Sequence, residues 1–411
     1  MNRLSKNITQ NLIFLFIQLG LVTCHHAIIA QSTSNDSIQS TRKIALDYGK
    51  AGWHLETSDG LYAVNAQLRF QFRFATPSDT DPLNLNDYVD GKETYLGIRR
   101  ARIKIGGNAF KPWLKYYMEY ELFTGNLLDF RLMIEKIPQL KVKIGQWKIH
   151  YNRERIISSG KQQTVDRSIL TRPFTIDRQQ GVSLYGNLDG GGLANFSYWI
   201  SALTGTGRGN NFNDDKYLMY MTRWQWNFFG RILPFESSDT KYHSKPAGVI
   251  ALAAVTNRSP YTRFSQSGGG QLGQFEEGSA GQYRVNQLLL ETALMYKGFS
   301  WQNEFHWKEI QDKINLTTTE MSGVYFQAGY FLNGLVSWVP KPLEIAYRQA
   351  FYDPDIVSEN DIREEQTIVV NWFFKDHLNK LTAEVSFFDL QVAPQTTVNE
   401  TRLRVQWDVS F

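Results

Sequence analysis

The sequence predicts an all-β fold, a transmembrane antiparallel β-barrel of 16 strands with long extracellular loops and short periplasmic turns. Three observations carry that prediction. Apolar and polar residues alternate over strand-length stretches along most of the chain, and after the first thirty residues there is no long apolar run of the kind a membrane helix needs. Aromatic residues make up 14% of a chain whose hydrophobic total is only 42%, which suits strands that give only alternate residues to lipid. The connections alternate between long polar loops and tight turns.

At the N-terminus, Arg3 and Lys6 precede "LIFLFIQLGLV" (Leu12 to Val22), followed by "CHHAIIAQ". This reads as a secretory signal peptide over residues 1–30, cut after Ala30 so that Gln31 comes first. The run is well short of the ~20 residues a spanning helix needs, which argues against an uncleaved anchor. Cys24 admits a lipoprotein reading through "LVTC", but Thr23 is a poor residue just before a lipidated cysteine. Because Cys24 is the single cysteine, the mature chain has none, which excludes disulfide staples and thiolate chemistry. Residues 31–60 are expected to form a short periplasmic segment and residues 61–411 the barrel.

The first barrel strand, "AVNAQLRFQFRF" (63–74), sets Val64, Ala66, Leu68, Phe70, Phe72 and Phe74 against Asn65, Gln67, Arg69, Gln71 and Arg73. Further strands are expected near 96–105, 114–122, 127–134, 140–147, 180–186, 194–203, 218–229, 248–256, 284–296, 299–307, 324–332, 343–350, 367–374, 381–388 and 401–411. Each is close to the about 9–11 residues of a tilted membrane strand. Loops 75–94, 204–216 and 257–282 are long and polar, whereas "GGNAFKP", "EKIPQ", "KGFS" and "KDHLNK" are tight. Two connections break the rule: 123–126 is short on the long side, and 230–248 is long on the short side. The last strand alternates up to Phe411, with Leu403, Val405, Trp407 and Val409 on its apolar face. An even strand number puts both barrel termini on the periplasmic side, so this strand should close on the first, with Trp407 and Phe411 as membrane anchors. Tyr220, Trp224 and Trp226, and likewise Trp301, Phe305 and Trp307, share faces suited to interfacial girdles. A soluble secreted β-sandwich binding module is the alternative, but it accounts for neither the graded loops nor so many alternating strands.

Several stretches resemble the phosphate-selective porin O and P family of Gram-negative outer membranes. They are "GIRRARIKIGGNAFKPWLKYYMEYEL" (97–122), the segment 140–186 beginning "LKVKIGQWK", "GVYFQAGYFLNG" (323–334), "PLEIAYRQAF" (342–351) and "IVVNWFF" (368–374). The resemblance implies a sixteen-stranded outer-membrane channel, usually a homotrimer, that passes small anions and in some members phosphate. This chain has Ile149, His150 and Tyr151 where the family usually has a Pro-Phe pair, and Leu335 in place of the usual Glu. The first departure bears on the third loop, which in general porins folds inward and narrows the channel.

Fixed charge is concentrated rather than spread. Residues 96–180 hold 17 Lys or Arg against 7 Asp or Glu, while the whole chain is only +4, so the remainder is net acidic. Alternation puts Arg100, Arg102 and Lys104 on the lumenal face of their strand, Lys141 and Lys143 on another, and Arg69 and Arg73 on the first. Arg99 falls on the lipid face near the outer rim, where it is expected to snorkel to headgroups. The third loop adds Arg153, Arg155, Lys161, Arg167, Arg172 and Arg178 against Glu154, Asp166 and Asp177. Rows of guanidinium and ammonium groups favour anions by replacing part of their hydration. The competing reading is charge pairing within the barrel, for which Glu119, Glu121 and Asp129 are obvious partners.

The acidic run 352–366 reads as a solvated outer loop, or more sharply as a site for divalent bridging to lipopolysaccharide. His54, His150, His243, His306 and His377 lack metal-ligand spacing, and no G-x-S-x-G, P-loop or H-E-x-x-H occurs. No cofactor, catalytic residue or nucleic-acid partner is therefore expected. A barrel lipase would need a Ser–His pair facing lipid, and a plugged receptor would need a domain before residue 61, for which there is no room. The expected activity is passive diffusion of small anions, phosphate included, with a general non-selective porin as the alternative.

Overall fold

The computed structural model describes residues 43–49, 52–79, 87, 93–209, 213, 215–265, 269–359, 361–392 and 396–411. The signal-peptide reading and Cys24 lie outside the described residues. A hairpin of β1 (Ile44–Gly49) and β2 (Gly52–Thr57) precedes sixteen barrel strands. These are β3 (Ala63–Thr76), β4 (Tyr95–Ala109), β5 (Lys111–Glu121), β6 (Asn126–Ile137), β7 (Leu140–Lys148), β8 (Arg178–Asp189), β9 (Asn195–Leu203) and β10 (Met219–Trp226). The second half comprises β11 (Ala247–Ser259), β12 (Tyr283–Tyr296), β13 (Phe299–Asp312), β14 (Thr317–Phe331), β15 (Leu343–Asp353), β16 (Arg363–Lys375), β17 (Asn379–Val392) and β18 (Thr396–Ser410). From β3 to β18 each strand pairs antiparallel with the next, and β18 closes on β3 from Leu403↔Thr76 to Ser410↔Arg69. All sixteen expected strands form, several of them longer than expected, as in β14.

Alternation decides which face is which. In β18, Arg402, Arg404, Gln406 and Asp408 are buried, while Leu403, Trp407 and Phe411 are exposed on the outer face. Tyr220, Trp224 and Trp226 are likewise exposed outward, and Trp301 stacks on Phe326 with centroids 5.8 Å apart. Phe411 is held by both backbone bonds to Leu68, at 2.7 and 2.9 Å, so the chain does not fray there.

Two features add to or correct the expected picture. Within the segment 31–60, read from the sequence only as a short periplasmic stretch, residues 44–57 form a hairpin. Its cause lies in β3, which extends past Phe411 toward the periplasm and leaves Ala63–Ala66 without a partner from β18; β2 pairs there instead, from Trp53↔Ala66 to Glu56↔Ala63. An unpaired edge is thereby covered. The second is a correction: Arg99 does not point to lipid. The β3–β4 register jumps from Gln71↔Arg100 to Phe72↔Ile98, leaving Arg99 as the extra residue of a bulge. A bulge sets two residues against one and re-aims the side chain. Arg99 turns inward and pairs with Asp79 at 3.2 Å.

Candidate functional site

Residues 149–177 leave β7 and run into the barrel interior through α1 (Arg153–Ile156), a single 3₁₀ turn (Ser159–Lys161) and α2 (Thr171–Phe174). Helices this short are not stable by propensity, so their hold must come from the wall. Five inward-facing glutamates supply it, one each from β12, β13, β15, β16 and β17, none more than 2% exposed. Glu291 accepts from Arg153 Nε at 2.8 Å, and Glu304 from the Glu154 backbone N–H at 2.7 Å and Asn152 Nδ2 at 2.9 Å. Glu344 accepts from Gln163 Nε2 at 2.6 Å, Glu365 from the Ile169 N–H at 2.8 Å, and Glu384 from the Val165 N–H at 2.7 Å. Such carboxylate bonds to buried donors are about twice as strong as neutral ones.

Arg348 completes the dock from β15, bonding the Asp166 carbonyl at 2.9 Å while paired with Glu365. Two glycines of β14 let the loop lie flat: a Cβ at Gly329 would stand 1.8 Å from Gln163 Nε2, and one at Gly323 2.6 Å from Leu170 Cδ2. Tyr151, Leu170, Phe174 and Ile176 fill the remaining gap against Val285, Ile310, Met321 and Tyr325.

The loop is therefore docked on β12–β17 and, through Arg69 and Arg73, on β3, and open space remains against β4–β8 and the periplasmic end of β3. Two contiguous cavities of about 290 and about 130 Å³ lie there, sharing Arg100, Arg102, Arg155, Arg167, Asp177 and Arg208 among their walls. Among the described residues they are together lined by Arg99, Arg100, Arg102, Lys148, Arg155, Arg167, Arg172, Arg178 and Arg208, against Glu121, Asp166 and Asp177. A third cavity of about 490 Å³, nearer the periplasmic ends of β3–β6, is walled by Asn65, Gln67, Lys104, Lys115, Tyr117 and Arg131.

Some of these cations are matched and some are not. Arg102 meets Glu119 at 2.8 Å and Glu121 at 2.6 Å, Arg178 meets Asp129 at 2.5 Å, and Arg155 is paired with Asp177. Arg100 reaches Asp166 only at 3.7 Å, and Lys104 meets the amide of Gln67 at 3.4 Å. Arg167 donates to the carbonyls of Glu154 at 2.9 Å and Ile157 at 2.8 Å, and Lys148 has no carboxylate at ion-pair distance among the described residues. Burial, then the Arg155 cation, pushes the Arg167 guanidinium down to about 10, so it remains charged at neutral pH. Burial would raise the Asp177 carboxyl, but Arg155 and Arg178 outweigh it and hold it below the usual range.

Of the twelve cations singled out from the sequence, Arg100, Arg102, Arg155, Arg167, Arg172 and Arg178 line the two inner cavities and Lys104 the third. Lys143 is 4% exposed, its ammonium 4.6 Å from the Tyr185 ring, and Lys141 lies against the same ring at 5.8 Å. Arg69, Arg73 and Arg153 do not line these spaces. Arg73, fully buried, bonds both Asp79 and Asp166 at 2.6 Å. Arg69 donates to Ser158 Oγ at 2.6 Å, and Arg153 is spent on Glu291. They clamp the loop. Sequence reasoning missed Lys148, which ends its strand out of step with Lys141 and Lys143, so that alternation does not assign it to the lumen, and Arg208, which a glycine-rich outer loop carries inward through Gly207 N–H to Gln179 and Gly209 N–H to Gln146.

A family model described as phosphate-selective porin O and P matches residues 64–404. No curated protein matches by sequence. Among solved structures, an anion-selective porin from Comamonas acidovorans is similar at a TM-score of 0.54 and 10% identity, over 85% of this chain and 100% of that one. The trimer form of in-vitro folded OmpT, an outer membrane protein of Vibrio cholerae, is similar at 0.52 and 9%, over 85% and 99%. The outer membrane channel DcaP of Acinetobacter baumannii is similar at 0.51 and 10%, over 87% and 99%. At such identities the likeness is one of fold.

Proposed function

Since this chain belongs to the phosphate-selective porin O and P family and is an outer-membrane porin, we propose that it admits small anions by passive diffusion along the basic wall of β4–β8, not through the middle of the barrel. The fold and family are those of a channel rather than an enzyme. The observation that carries the reading is the imbalance beside the loop, where nine cations face three carboxylates. The five wall glutamates do not offset it, because each is turned into the dock of the loop.

In this reading Arg99, Arg100, Arg167, Arg172 and Arg208 draw an anion inward, and Lys148 and Arg178 receive it at the narrowest space. Lys104, Lys141, Lys143 and Arg131 lead it to the periplasm. Guanidinium forks suit phosphate oxygens, so phosphate is the narrower substrate proposed. A homotrimer in the lipopolysaccharide-bearing membrane is the proposed assembly, in keeping with the trimer form of the similar OmpT.

Reconstitution in planar bilayers tests this. In a potassium chloride gradient the reversal potential should report anion preference, and added phosphate should block chloride current if an internal site exists. A specific observation favours the non-selective alternative: Arg102, Arg155 and Arg178 are already ion-paired. A reversal potential at zero would decide for it.

A further inference from the structure

The periplasmic connection 227–246 is far longer than its neighbours, and it does not hang into the periplasm. Leu233 packs in a buried cluster with Ala247, Val249, Ala293 and Met295. Asp239 accepts from the backbone N–H groups of His243 at 3.0 Å and Gly298 at 2.9 Å, and Ser238 Oγ donates to Glu344 at 2.9 Å. Phe235 lies under the Arg153 guanidinium at 4.7 Å, while Arg153 Nη1 donates to the Pro234 carbonyl at 2.8 Å. The turn is thus folded up into the base of the barrel and fixed on both sides.

What it presents to the inward loop is Glu236. The Lys161 ammonium donates to its carboxylate at 2.5 Å, and the Ser237 N–H bonds the Lys161 carbonyl at 3.0 Å. Lys161 ends the 3₁₀ turn whose first residue, Ser159, borders the smaller inner cavity. Ser159, whose buried hydroxyl has no partner among the described residues, lines that cavity with Lys148 and Arg178. The Lys161 side chain is 41% exposed, so its charge faces water except where Glu236 meets it.

We propose that this inward-folded periplasmic turn is a second selectivity element, in which Glu236 positions Lys161 and offsets its charge, and so sets how firmly the periplasmic end of the route holds an anion. The proposal rests on the anion reading above. It assigns the turn a sign opposite to that of the basic wall: the wall attracts, and Glu236 moderates.

The test uses Glu236→Gln, Lys161→Gln and the double variant in the full-length channel, each compared with wild type for reversal potential in a potassium chloride gradient and for phosphate block. One elementary charge a few ångströms from a hydrated path is worth about a twofold to threefold change in permeability ratio. Glu236→Gln should raise the chloride-to-potassium ratio by that much and strengthen phosphate block. Lys161→Gln should lower both, and the double variant, whose net charge at the pair equals that of the wild type, should return both to near the wild-type value. An assembled Glu236→Gln channel with an unchanged ratio overturns the proposal, as does a double variant that keeps the rise. Should Glu236→Gln fail to assemble, as judged by heat-modifiable gel mobility, Lys161→Gln decides alone, and an unchanged ratio overturns the proposal. A cation-preferring wild type would overturn the anion reading instead, while the difference between variant and wild type still reports on the Glu236–Lys161 pair.

Discussion

Arg102 on β4 donates through Nε to Glu121 on β5 at 2.6 Å, and the same carboxylate accepts the Ala101 backbone N–H at 2.7 Å. The pair ties two neighbouring strands at the wall of the larger of the two inner cavities. Arg102→Glu would set a third carboxylate beside Glu121 and Glu119, so it should both shift ion preference toward cations and weaken the barrel. A dry pair broken this way costs about 3–5 kcal/mol; beside water the loss should be roughly 1–3 kcal/mol, read as a lower unfolding temperature in detergent.

Lys148→Glu separates charge from stability. Lys148 has no carboxylate at ion-pair distance among the described residues and lines the smaller inner cavity, so reversal of its charge should move the reversal potential toward cations at least as far as Arg102→Glu does. The unfolding temperature should change little. If Lys148→Glu leaves ion preference untouched while Arg102→Glu moves it, the route does not pass the narrow cavity.

Lipid-face charge should behave in the opposite way. Ile103 lies between Arg102 and Lys104 and pairs with Tyr120 and Leu68 on the outer face. Ile103→Arg near mid-membrane should destabilise the barrel by roughly 2–4 kcal/mol, measured by urea unfolding in lipid vesicles, with no effect on the selectivity of assembled channels. A harmless substitution would mean the strand is assigned inside out.

The strands were legible because a period of two survives any detail of packing, and the closing strand most of all, with its alternation intact to Phe411. Arg99 was not legible, since a bulge reflects how β3 and β4 fit together and the alternation by itself assigns the wrong face. Nor could the loop's cations be sorted from sequence. Whether Arg153 or Arg155 faces the route depends on Glu291, 138 residues from Arg153, claiming the former. The length of the turn 230–248 was visible as an exception, but not its inward fold. Gly323 and Gly329 stood in a family-like motif, and their role appears only when the loop lies against β14.

The dock of the loop yields a fourth prediction. Glu304→Ala would leave the Glu154 N–H and Asn152 Nδ2 without their acceptor, each at a cost of about 1–3 kcal/mol. Single-channel records should then show added open-state noise as the loop's first turn loosens, and protease added from outside should cut within 149–177 faster than in wild type. A quiet, protease-resistant variant would show that the remaining glutamates suffice.

Because the loop engages the acids of one wall while cations outnumber carboxylates around the cavities of the other among the described residues, the lumen is polarised sideways rather than along its axis. A solute in it does not sample a round cross-section. On the proposed route it would keep to one side, in contact with the same few strands from mouth to exit. Different anions would then compete for the same wall, and one held strongly there would slow the uptake of a weaker one.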